Sequence, residues 1–398
     1  MKTERKKLLF VCYGLGIGGI EKCLVNLLNS LPEDRFDIDV LLMNPVNSSI
    51  QQIRRKVNFL DSFRYVMNVK DTPREIQQRG GAAKNFSKVF SYCIFRLLIK
   101  AKKNAWMVFR PLPTQYDIAI GYSQNDYSPY YVMDKVRAKR KVMWYHNGAY
   151  KQEKRKFRRD KAYYKRFDYV VAVSEDCRAM LQERFNFPNE QLIVLRNICD
   201  AAEIRNLADA FLPKTFDERT YHIVTVGRME KEKGADLVLD CCEILQEHKK
   251  NFVWHWVGDG SMRVAVEREI VKRGLQACLL LEGNQLNPYP YIKKADLYVQ
   301  PSYYEAYSTT VTEAKILAKP MVVTDVGGMR DQLINAVNGL IVPISAEKIA
   351  GGILQLMESP EMGIQFHTML TKERFDSQEY LKEYKQTVFC EEFNEGTD

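Results

Sequence analysis

Short runs of β-branched and aromatic residues alternate with longer helix-like segments along nearly the whole of this 398-residue chain. Several runs are apolar on both faces, which is typical of parallel strands covered by helices on both sides. Strands that alternate with helices predict an α/β fold, and two successive series of runs predict two sheets in tandem. The first series is Leu8–Tyr13, Ile38–Met43, Asp117–Tyr122, Lys141–His146, Tyr169–Ser174 and Leu192–Asn197. The second series is His222–Val226, Phe252–Val257, Leu279–Glu282, Leu297–Gln300, Met321–Thr324 and Leu340–Val342.

The two series meet near residues 197–220, where Phe211–Thr220 has the composition of a linker. We therefore expect an N-terminal domain over residues 1–197 and a C-terminal domain over residues 198–373. The polar segment that follows is rich in Glu, Lys, Phe and Tyr and continues no strand pattern. Helices at about residues 374–398 are expected to pack back onto the N-terminal domain.

Composition excludes several classes of protein. With 46% apolar and 27% charged residues, the chain has the values of a globular protein, not of a disordered or fibrous one. The nine cysteines form no CxxC pair and no cluster with histidine, so we expect buried, reduced thiols and no metal site. The most membrane-like stretch, Phe86–Ile99, is interrupted by Lys88 and Arg96, so no membrane-spanning segment is expected.

The first strand leads into a glycine-rich loop, Gly14-Leu-Gly16-Ile-Gly18-Gly19-Ile-Glu21, which precedes a helix. The loop matches the GxGxxG pattern of dinucleotide-binding folds. A dehydrogenase would also need an acid at the end of the second strand, where this chain has Met43-Asn44, so that class is disfavoured. Gly18 and Gly19 still allow the backbone to approach a ligand, and a helix start favours an anion. A tight turn without any ligand is the alternative.

The second series opens on a similar loop, Val226-Gly227-Arg228-Met-Glu-Lys231-Glu-Lys233-Gly234, between a strand and a helix. Ligands of open α/β sheets bind at the carboxyl ends of the strands. At that edge Arg228 would neutralise a diphosphate through its planar fork, and Lys233 would do so as a point charge. A solvated loop is the alternative for both residues.

The segment Gln300–Ala314 holds the densest group of candidate residues. A strand delivers Glu305 into a loop, and a helix is expected to start near Thr310. Backbone N–H groups at that helix start, together with Ser308 and Thr309, suit phosphate oxygens.

Two glutamates of this segment have different alternatives. Glu313, in the expected first turn of the helix, would accept hydrogen bonds from sugar hydroxyls, or it would close a capping box with Thr310. For Glu305 the sequence offers no structural role. A carboxylate beside an anion-binding site is electrostatically costly unless it binds a ligand, so a functional role is favoured.

Four motifs occur in the same order as in the retaining glycosyltransferases of family 4, and the chain resembles that family. They are Gly227-Arg228…Lys233-Gly234, Val257-Gly258-Asp259-Gly260, Glu305-x7-Glu313 and Asp325-Val-Gly327-Gly328…Asn338-Gly339-Leu-Ile-Val-Pro343. The resemblance covers the C-terminal domain almost end to end and extends more weakly to Gly18-Gly19-x-Glu21. It implies a GT-B fold, an α/β architecture in which two Rossmann-like domains face a central cleft.

One of these motifs departs from the usual family pattern. The family commonly has glycines after the first glutamate, as in E-G-F-G, whereas this chain has Ala306-Tyr307-Ser308. This variant is similar to the transferases of bacterial capsule and surface-polysaccharide assembly.

The resemblance also implies roles for individual residues. Arg228 and Lys233 would bind the diphosphate of a nucleotide-sugar, Glu313 would bind its ribose, and Glu305 would lie beside the transferred sugar. His146, at the end of the fourth strand, is similar to a histidine of many family members. It would hydrogen-bond a donor-sugar hydroxyl or the charge that develops at the anomeric carbon. A lone histidine is otherwise more often structural. Because no Asp-x-Asp stands in a metal-binding setting, neither a metal nor a cofactor is expected.

The activity that the resemblance implies is retaining transfer of a hexose-type sugar from a nucleotide-diphosphate donor, with UDP favoured. The acceptor would be lipid-linked or a saccharide, in surface-polysaccharide synthesis. One alternative is a GT-B epimerase that acts on the nucleotide-sugar, which the lack of an evident activated-water site disfavours. The other is a non-catalytic sugar-nucleotide-binding subunit. The presence of all five ionisable candidates argues against it: Arg228, Lys233, His146, Glu305 and Glu313.

The N-terminal half of the chain is strongly cationic. Residues 1–200 hold 37 Lys and Arg against 20 Asp and Glu, whereas residues 201–398 hold 22 against 30. Lys151–Arg166 alone carries nine cations and two acids. Phe86–Phe109 mixes Phe, Tyr, Ile, Leu and Trp106 with five cations, Lys88, Arg96, Lys100, Lys102 and Lys103.

These two segments favour peripheral docking on anionic lipid, on the cytoplasmic face of a cell membrane. A lipid-linked acceptor is consistent with that location. The alternatives are a solvated helix for Lys151–Arg166 and a core-facing helix for Phe86–Phe109. Nucleic acid is the rival partner of a basic face and is disfavoured, since no known nucleic-acid-binding module is present.

Overall fold

A computed structural model describes residues 5–16, 18–44, 49–66, 82–100, 104–124 and 127–389, with the backbone alone at residues 63–64 and 82–90. The side chain of Lys88 lies outside the described part of the chain. The same holds for Lys102, Lys103 and residues 390–398 of the expected C-terminal helices.

The first half of the chain forms a parallel sheet of seven described strands. These are β1 (Lys6–Cys12), β2 (Phe36–Leu42), β3 (Asn58–Phe59), β4 (Gln115–Gly121), β5 (Arg137–Tyr145), β6 (Tyr169–Ala172) and β7 (Leu192–Val194). Their order across the sheet is β3-β2-β1-β4-β5-β6-β7. Six of them coincide with predicted runs. β3 was not predicted, because a two-residue strand carries no periodic pattern.

The second half forms a six-stranded parallel sheet, and each of its strands coincides with a predicted run. The strands are β8 (Tyr221–Val226), β9 (Phe252–Val257), β10 (Leu279–Gly283), β11 (Leu297–Gln300), β12 (Met321–Thr324) and β13 (Leu340–Val342). Their order is β10-β9-β8-β11-β12-β13. The expected α/β fold with two tandem sheets is therefore confirmed.

Helices cover the faces of both sheets. Those beside the first sheet are α1 (Gly19–Ser30), α2 (Ser62–Tyr65), α3 (Ala82–Lys100), α4 (Ser128–Lys135), α5 (Lys154–Tyr164) and α6 (Glu175–Phe185). Those that follow are α7 (Ala201–Leu207), α8 (Ala235–Glu247), α9 (Arg263–Lys272), α10 (Tyr289–Lys294), α11 (Thr309–Ile316), α12 (Gly327–Arg330), α13 (Ala346–Glu358), α14 (Pro360–Thr371) and α15 (Ser377–Tyr384).

Each sheet has an apolar cluster on both of its faces, as its two-sided apolar strands require. In β1, Leu8 and Phe10 pack into one cluster, and Leu9 packs into the other. In β8, Ile223 and Val224 face opposite clusters in the same way. We call the first sheet with its helices the N-terminal lobe and the second sheet with its helices the C-terminal lobe.

The end of the described chain returns to the N-terminal lobe. α15 and the π-helical turn Lys385–Phe389 bury Tyr384 and Phe389 in the same cluster as Leu8 and Phe10. The rings of Trp144 and Tyr384 stack with their centres 5.7 Å apart. The Tyr384 hydroxyl donates to the carbonyl of Arg196 at 2.7 Å. The chain therefore crosses between the lobes twice.

The topology fixes where a ligand can bind. In both sheets the strand order turns back beside the first strand, between β1 and β4 and between β8 and β11. In open parallel sheets a crevice forms at that point, outside the carboxyl ends of the strands. The loops that follow β1, β5, β8 and β11 therefore lie at the two facing edges, and these loops carry the candidate residues.

Within the described ranges, no helix combines the length and apolar character needed to cross a lipid bilayer.

Candidate functional site

A cleft of about 460 Å³ lies between the two lobes, and every candidate residue borders it. The residues come from loops that are far apart in sequence, so only the fold brings them together. The nine candidates that line the cleft are Gly18, Gly19, His146, Arg228, Lys233, Glu305, Ser308, Thr309 and Glu313.

Two helix N-termini meet in this cleft. α1 begins after Gly18, which has an extended backbone and no side chain to cap the helix. α11 begins after Ser308, whose hydroxyl accepts the N–H of Val311 at 3.4 Å. A Cβ on Gly19 would lie 3.3 Å from Oγ1 of Thr309, so the two helix starts almost touch. The positive ends of two helix dipoles thus point to one place, which is favourable for an anion.

Lys233 reaches the cleft because the backbone of the next residue, Gly234, lies very close to the backbone of Pro301. The Gly234 backbone has φ of +76°, and a Cβ there would lie 2.0 Å from the carbonyl oxygen of Pro301. No other residue could hold the turn 231–233 so close to the end of β11. The Lys233 ammonium lies 2.6 Å from the Glu305 carboxylate.

Arg228 is the more exposed of the two candidate cations that follow β8. Its side chain is 60% exposed and lies 3.3 Å from the carboxylate of Glu232. An exposed ion pair of this kind is weak, so the guanidinium can turn to another anion at little cost.

Glu305 has a structural partner that the sequence did not reveal. Its carboxylate accepts hydrogen bonds from Lys233 at 2.6 Å and from the Ser302 hydroxyl at 2.8 Å. The Ser302 hydroxyl in turn accepts the amide of Gln300 at 2.9 Å. The expectation that Glu305 has no structural role is therefore wrong, because an ion pair compensates its buried charge.

Glu313 also differs from its sequence-based interpretation. The N-cap of α11 is Ser308, so Glu313 lies beyond the first turn and cannot close a capping box with Thr310. Its side chain is 1% exposed, and one carboxylate oxygen, Oε1, lies 2.5 Å from the ammonium of Lys22. The other oxygen, Oε2, is buried without a hydrogen-bond partner. A buried carboxylate oxygen without a partner is a good acceptor for a ligand hydroxyl.

His146 follows β5 directly and lies against the Tyr122 ring, with ring centres 4.7 Å apart. Burial lowers the pKa of His146 to about 3, against a smaller opposing effect of a hydrogen bond with the Tyr122 backbone. The imidazole is therefore neutral near pH 7. Its Nε2 atom is buried without a partner, so His146 can exchange a hydrogen bond with a ligand but brings no positive charge.

The lobes are in direct contact beside Glu305. A Cβ on Gly148 would lie 2.3 Å from the carbonyl oxygen of Glu305, so the two backbones touch. Ala306 packs into the apolar cluster of the N-terminal lobe, and Tyr307 packs against it. The residues that replace the usual family glycines thus form part of the contact between the lobes.

Two family models match consecutive stretches of the sequence. Glycosyltransferase Family 4 matches residues 17–203, and Glycosyl transferases group 1 matches residues 210–372. The chain belongs to these glycosyltransferases. The resemblance found in the motifs is confirmed over both lobes.

Comparison with solved structures confirms the GT-B fold of this glycosyltransferase. Anabaena Alr3699/HepE, in complex with UDP and glucose, superposes with a TM-score of 0.71 at 16% sequence identity. That match covers 97% of this chain and 100% of the other.

Curated relatives share shorter stretches of sequence. The putative teichuronic acid biosynthesis glycosyltransferase TuaC of Bacillus subtilis is 34% identical over 33% of this chain and 31% of its own length. The N-acetylgalactosamine-N,N'-diacetylbacillosaminyl-diphospho-undecaprenol 4-alpha-N-acetylgalactosaminyltransferase of Campylobacter jejuni is 24% identical over 50% of this chain and 53% of its own. Further curated relatives are matched over 37% to 51% of their length, so the chain spans about half or less of them.

Sequence reasoning missed two polar residues of the glycosyltransferase cleft. Lys22 holds Glu313 from the opposite lobe, and its only sequence signal is that it follows Glu21 of the N-terminal motif. Asn197 lines the cleft at the end of the first sheet and is 6% exposed, with its side-chain oxygen buried and unpartnered.

Among the described residues of the glycosyltransferase, no group of three His, Cys, Asp or Glu side chains is arranged to hold a metal ion.

The basic segments of the N-terminal lobe divide into buried and exposed parts. In and after α3, Tyr92, Phe95, Trp106 and Phe109 are buried in the core. These aromatic residues therefore agree with the alternative expectation for Phe86–Phe109, that of a core-facing helix. Two large apolar side chains nearby are exposed, Leu97 at 66% and Met107 at 62%.

The basic helix α5 lies beside this region. The Arg159 guanidinium lies 5.3 Å from the centre of the Trp106 ring, and Lys156 pairs with the buried Asp160 at 2.8 Å. Three other cations of the helix are exposed to solvent, Lys154, Arg155 and Arg158.

Proposed function

We propose that this glycosyltransferase moves a hexose-type sugar from a UDP-sugar to a lipid-linked or saccharide acceptor, with retention of configuration, in surface-polysaccharide synthesis. The convergence of all nine candidate residues on one cleft carries the proposal. HepE of Anabaena was solved with UDP and glucose, and the Campylobacter relative is named for a diphospho-undecaprenol substrate. These two proteins support the choice of donor and acceptor class.

The diphosphate of the donor binds where positive charge is concentrated. Gly18 and Gly19 leave room for it beside the two helix N-termini, where Ser308 and Thr309 supply donors. Lys233 exchanges the Glu305 carboxylate for a phosphate oxygen, and Arg228 leaves its weak pair with Glu232 to bind another. Charge-assisted bonds of this kind contribute about 1.5–3 kcal/mol each. They stabilise the diphosphate without a metal ion.

The ribose of the donor binds to Glu313. The Oε2 atom of that carboxylate is buried and unpartnered, so it accepts a ribose hydroxyl.

His146 and Glu305 act at the transferred sugar. The neutral His146 offers its unpartnered Nε2 to a sugar hydroxyl. Glu305, released from Lys233 by the incoming phosphate, faces the positive charge that develops at the anomeric carbon. The bond between that carbon and the phosphate oxygen breaks as the acceptor oxygen bonds to the same face of the sugar. The acceptor proton passes to the departing phosphate, and the configuration is retained.

The N-terminal lobe binds the acceptor and docks on the membrane. In this proposal residues 1–197 form the acceptor-binding domain and residues 198–373 form the donor-binding domain. The exposed cations of α5, with Leu97 and Met107 nearby, favour an anionic lipid surface. Such docking places the enzyme on the cytoplasmic face of the membrane, where it can reach a lipid-linked acceptor.

A binding and transfer assay tests the proposal. The protein is titrated with a panel of nucleotide-sugars in a thermal-shift assay, because a ligand that binds only the native state raises its melting temperature. We expect stabilisation by UDP-sugars and loss of that shift in Lys233→Ala. The donor that binds is then incubated, radiolabelled, with undecaprenyl-diphosphate-linked saccharide, and the anomeric configuration of the product is read by NMR.

The other outcomes identify the rival functions. Conversion of the donor to its epimer in the absence of acceptor would identify an epimerase. Binding without transfer to any acceptor would identify a non-catalytic subunit. Failure of every nucleotide-sugar to bind would refute the donor site itself.

A further inference from the structure

The N-terminal lobe places a cation directly on the carboxylate proposed to bind ribose. Lys22 is in the first turn of α1, and its ammonium lies 2.5 Å from Oε1 of Glu313 in α11. The same ammonium lies 4.5 Å from the centre of the Tyr289 ring, at the start of α10. Lys22 therefore contacts two elements of the C-terminal lobe at once.

The Lys22 ammonium neutralises the Glu313 carboxylate, whose buried negative charge would otherwise be destabilising. Glu313 is 1% exposed, and a buried carboxylate without a counter-charge is strongly destabilising. It also lies in the helix whose N-terminus faces the proposed diphosphate, which it would repel. Burial alone would lower the pKa of Lys22, but Glu313 and Tyr289 outweigh it and raise that pKa above its ordinary value. The ammonium therefore stays protonated at every working pH.

The ion pair also leaves the second carboxylate oxygen available. Oε1 of Glu313 is held by Lys22, whereas Oε2 has no partner. A side chain fixed at one oxygen presents the other in a defined direction, so a ligand hydroxyl meets an acceptor that is already oriented.

We propose that Lys22 is a positioning residue of the donor site, which neutralises and orients Glu313 from the opposite lobe. This inference rests on the proposed function, because it takes Glu313 as the ribose ligand. Since the pair forms only when the lobes are together, it couples the binding of the nucleotide to closure of the cleft.

Two other contacts between the lobes lack this coupling. The Glu175 N–H donates to the Asp331 carboxylate at 2.7 Å, and Lys151 lies 4.9 Å from the centre of the Tyr304 ring. Neither contact includes a carboxylate proposed to bind the donor. The Lys22–Glu313 pair, in contrast, links closure of the lobes to binding of the donor, because Glu313 takes part in both.

Calorimetric titration with UDP tests the role of Lys22 in binding. We expect Lys22→Met to weaken UDP binding at least tenfold and Lys22→Arg, which keeps the charge, to stay within about threefold of the wild type. Lys165→Met removes an exposed cation of the same lobe away from the cleft and should bind UDP like the wild type. Unchanged affinity in Lys22→Met would overturn the inference.

A double-mutant cycle separates neutralisation of Glu313 from a general loss of structure. In a Glu313→Gln background no carboxylate remains to be neutralised, so Lys22→Met should change the affinity for UDP by less than threefold. An equal loss in both backgrounds would show that Lys22 acts by another route and would refute the inference.

Small-angle X-ray scattering of the ligand-free protein provides a test that does not depend on nucleotide. Lys22→Met should have a larger radius of gyration than the wild type and Lys165→Met, because the cleft opens. Identical curves for all three proteins would contradict the coupling to closure. If the wild type failed to bind any nucleotide, the proposed function would fall, and the scattering result would still decide whether Lys22 holds the lobes together.

Discussion

At the scale of single residues, the cleft contains buried polar atoms that have no hydrogen-bond partner. Among the described residues, Oε2 of Glu313, Nε2 of His146 and the side-chain oxygen of Asn197 are buried without a hydrogen bond. Each unpaired group of this kind costs about 1–3 kcal/mol. A ligand with several hydroxyl groups recovers this free energy on binding, which is a physical reason for a carbohydrate specificity.

The depressed pKa of His146 predicts a loss of stability in mild acid. The pKa is about 3 in the folded protein and about 6.5 in the unfolded chain, so below pH 6.5 the unfolded state binds more protons. Stability is therefore fully present above pH 6.5 and falls as the pH decreases toward 3. Between pH 7.5 and 5.5 this residue should cost about 1.4 kcal/mol of the free energy of unfolding.

Urea unfolding of the wild type and His146→Gln at both pH values measures this contribution. The variant should lose about 1.4 kcal/mol less than the wild type on acidification, whatever its stability at pH 7.5. His248→Gln changes an exposed histidine and serves as the control. Equal losses in the wild type and His146→Gln would show that His146 is not held neutral by burial.

Residue types could be predicted at the site, but their pairings could not. Arg228 stands out because it follows a strand at the ligand-binding edge, and Glu313 because it lies in the helix after another such strand; both belong to motifs that a family shares. The pairs Lys233–Glu305 and Lys22–Glu313 join residues from different loops or lobes. Local sequence carries no record of which side chains meet across a cleft, so the ion-pair partners of Glu305 and Glu313 could be identified only from the fold.

At the scale of secondary-structure elements, the strands could be predicted because two-sided burial leaves a local signal. The twelve predicted runs form strands since each needs apolar residues on both faces of a covered sheet. The start of α11 could not be placed as well. Ser308 and Thr310 are both good N-cap residues, and in the structure the Ser308 hydroxyl caps the helix by accepting the N–H of Val311.

The loop that follows β5 provides a prediction at this scale. A Cβ on Gly148 would lie 2.3 Å from the carbonyl oxygen of Glu305 and 2.9 Å from the backbone nitrogen of Ala306. Neither backbone can move aside like a flexible side chain, so Gly148→Ala should hold the lobes apart. We expect kcat to fall at least tenfold and the affinity for UDP to fall as well, because lobes held apart cannot form the Lys22–Glu313 pair.

Steady-state kinetics and calorimetry measure the two quantities separately. Gly351→Ala is the matched control, since a Cβ at Gly351 would meet nothing within 4 Å. Its kcat should equal that of the wild type. A normal kcat in Gly148→Ala would mean that the close contact beside Glu305 is not needed for transfer.

At the scale of the whole molecule, the surface that we propose docks on the membrane is the basic helix α5 of the N-terminal lobe. The exposed cations Lys154, Arg155 and Arg158 lie on α5 of the N-terminal lobe, and each cation near an anionic surface contributes about 1 kcal/mol. Changing all three to Gln should therefore weaken binding to phosphatidylglycerol-containing vesicles about 100-fold. Co-sedimentation with vesicles at 0.1 M salt measures the affinity.

Changing three exposed cations of the C-terminal lobe, Lys249, Arg268 and Lys348, removes the same net charge and should leave vesicle binding unchanged. Equal weakening by both triple variants would show that net charge alone governs adsorption and that α5 is no docking surface.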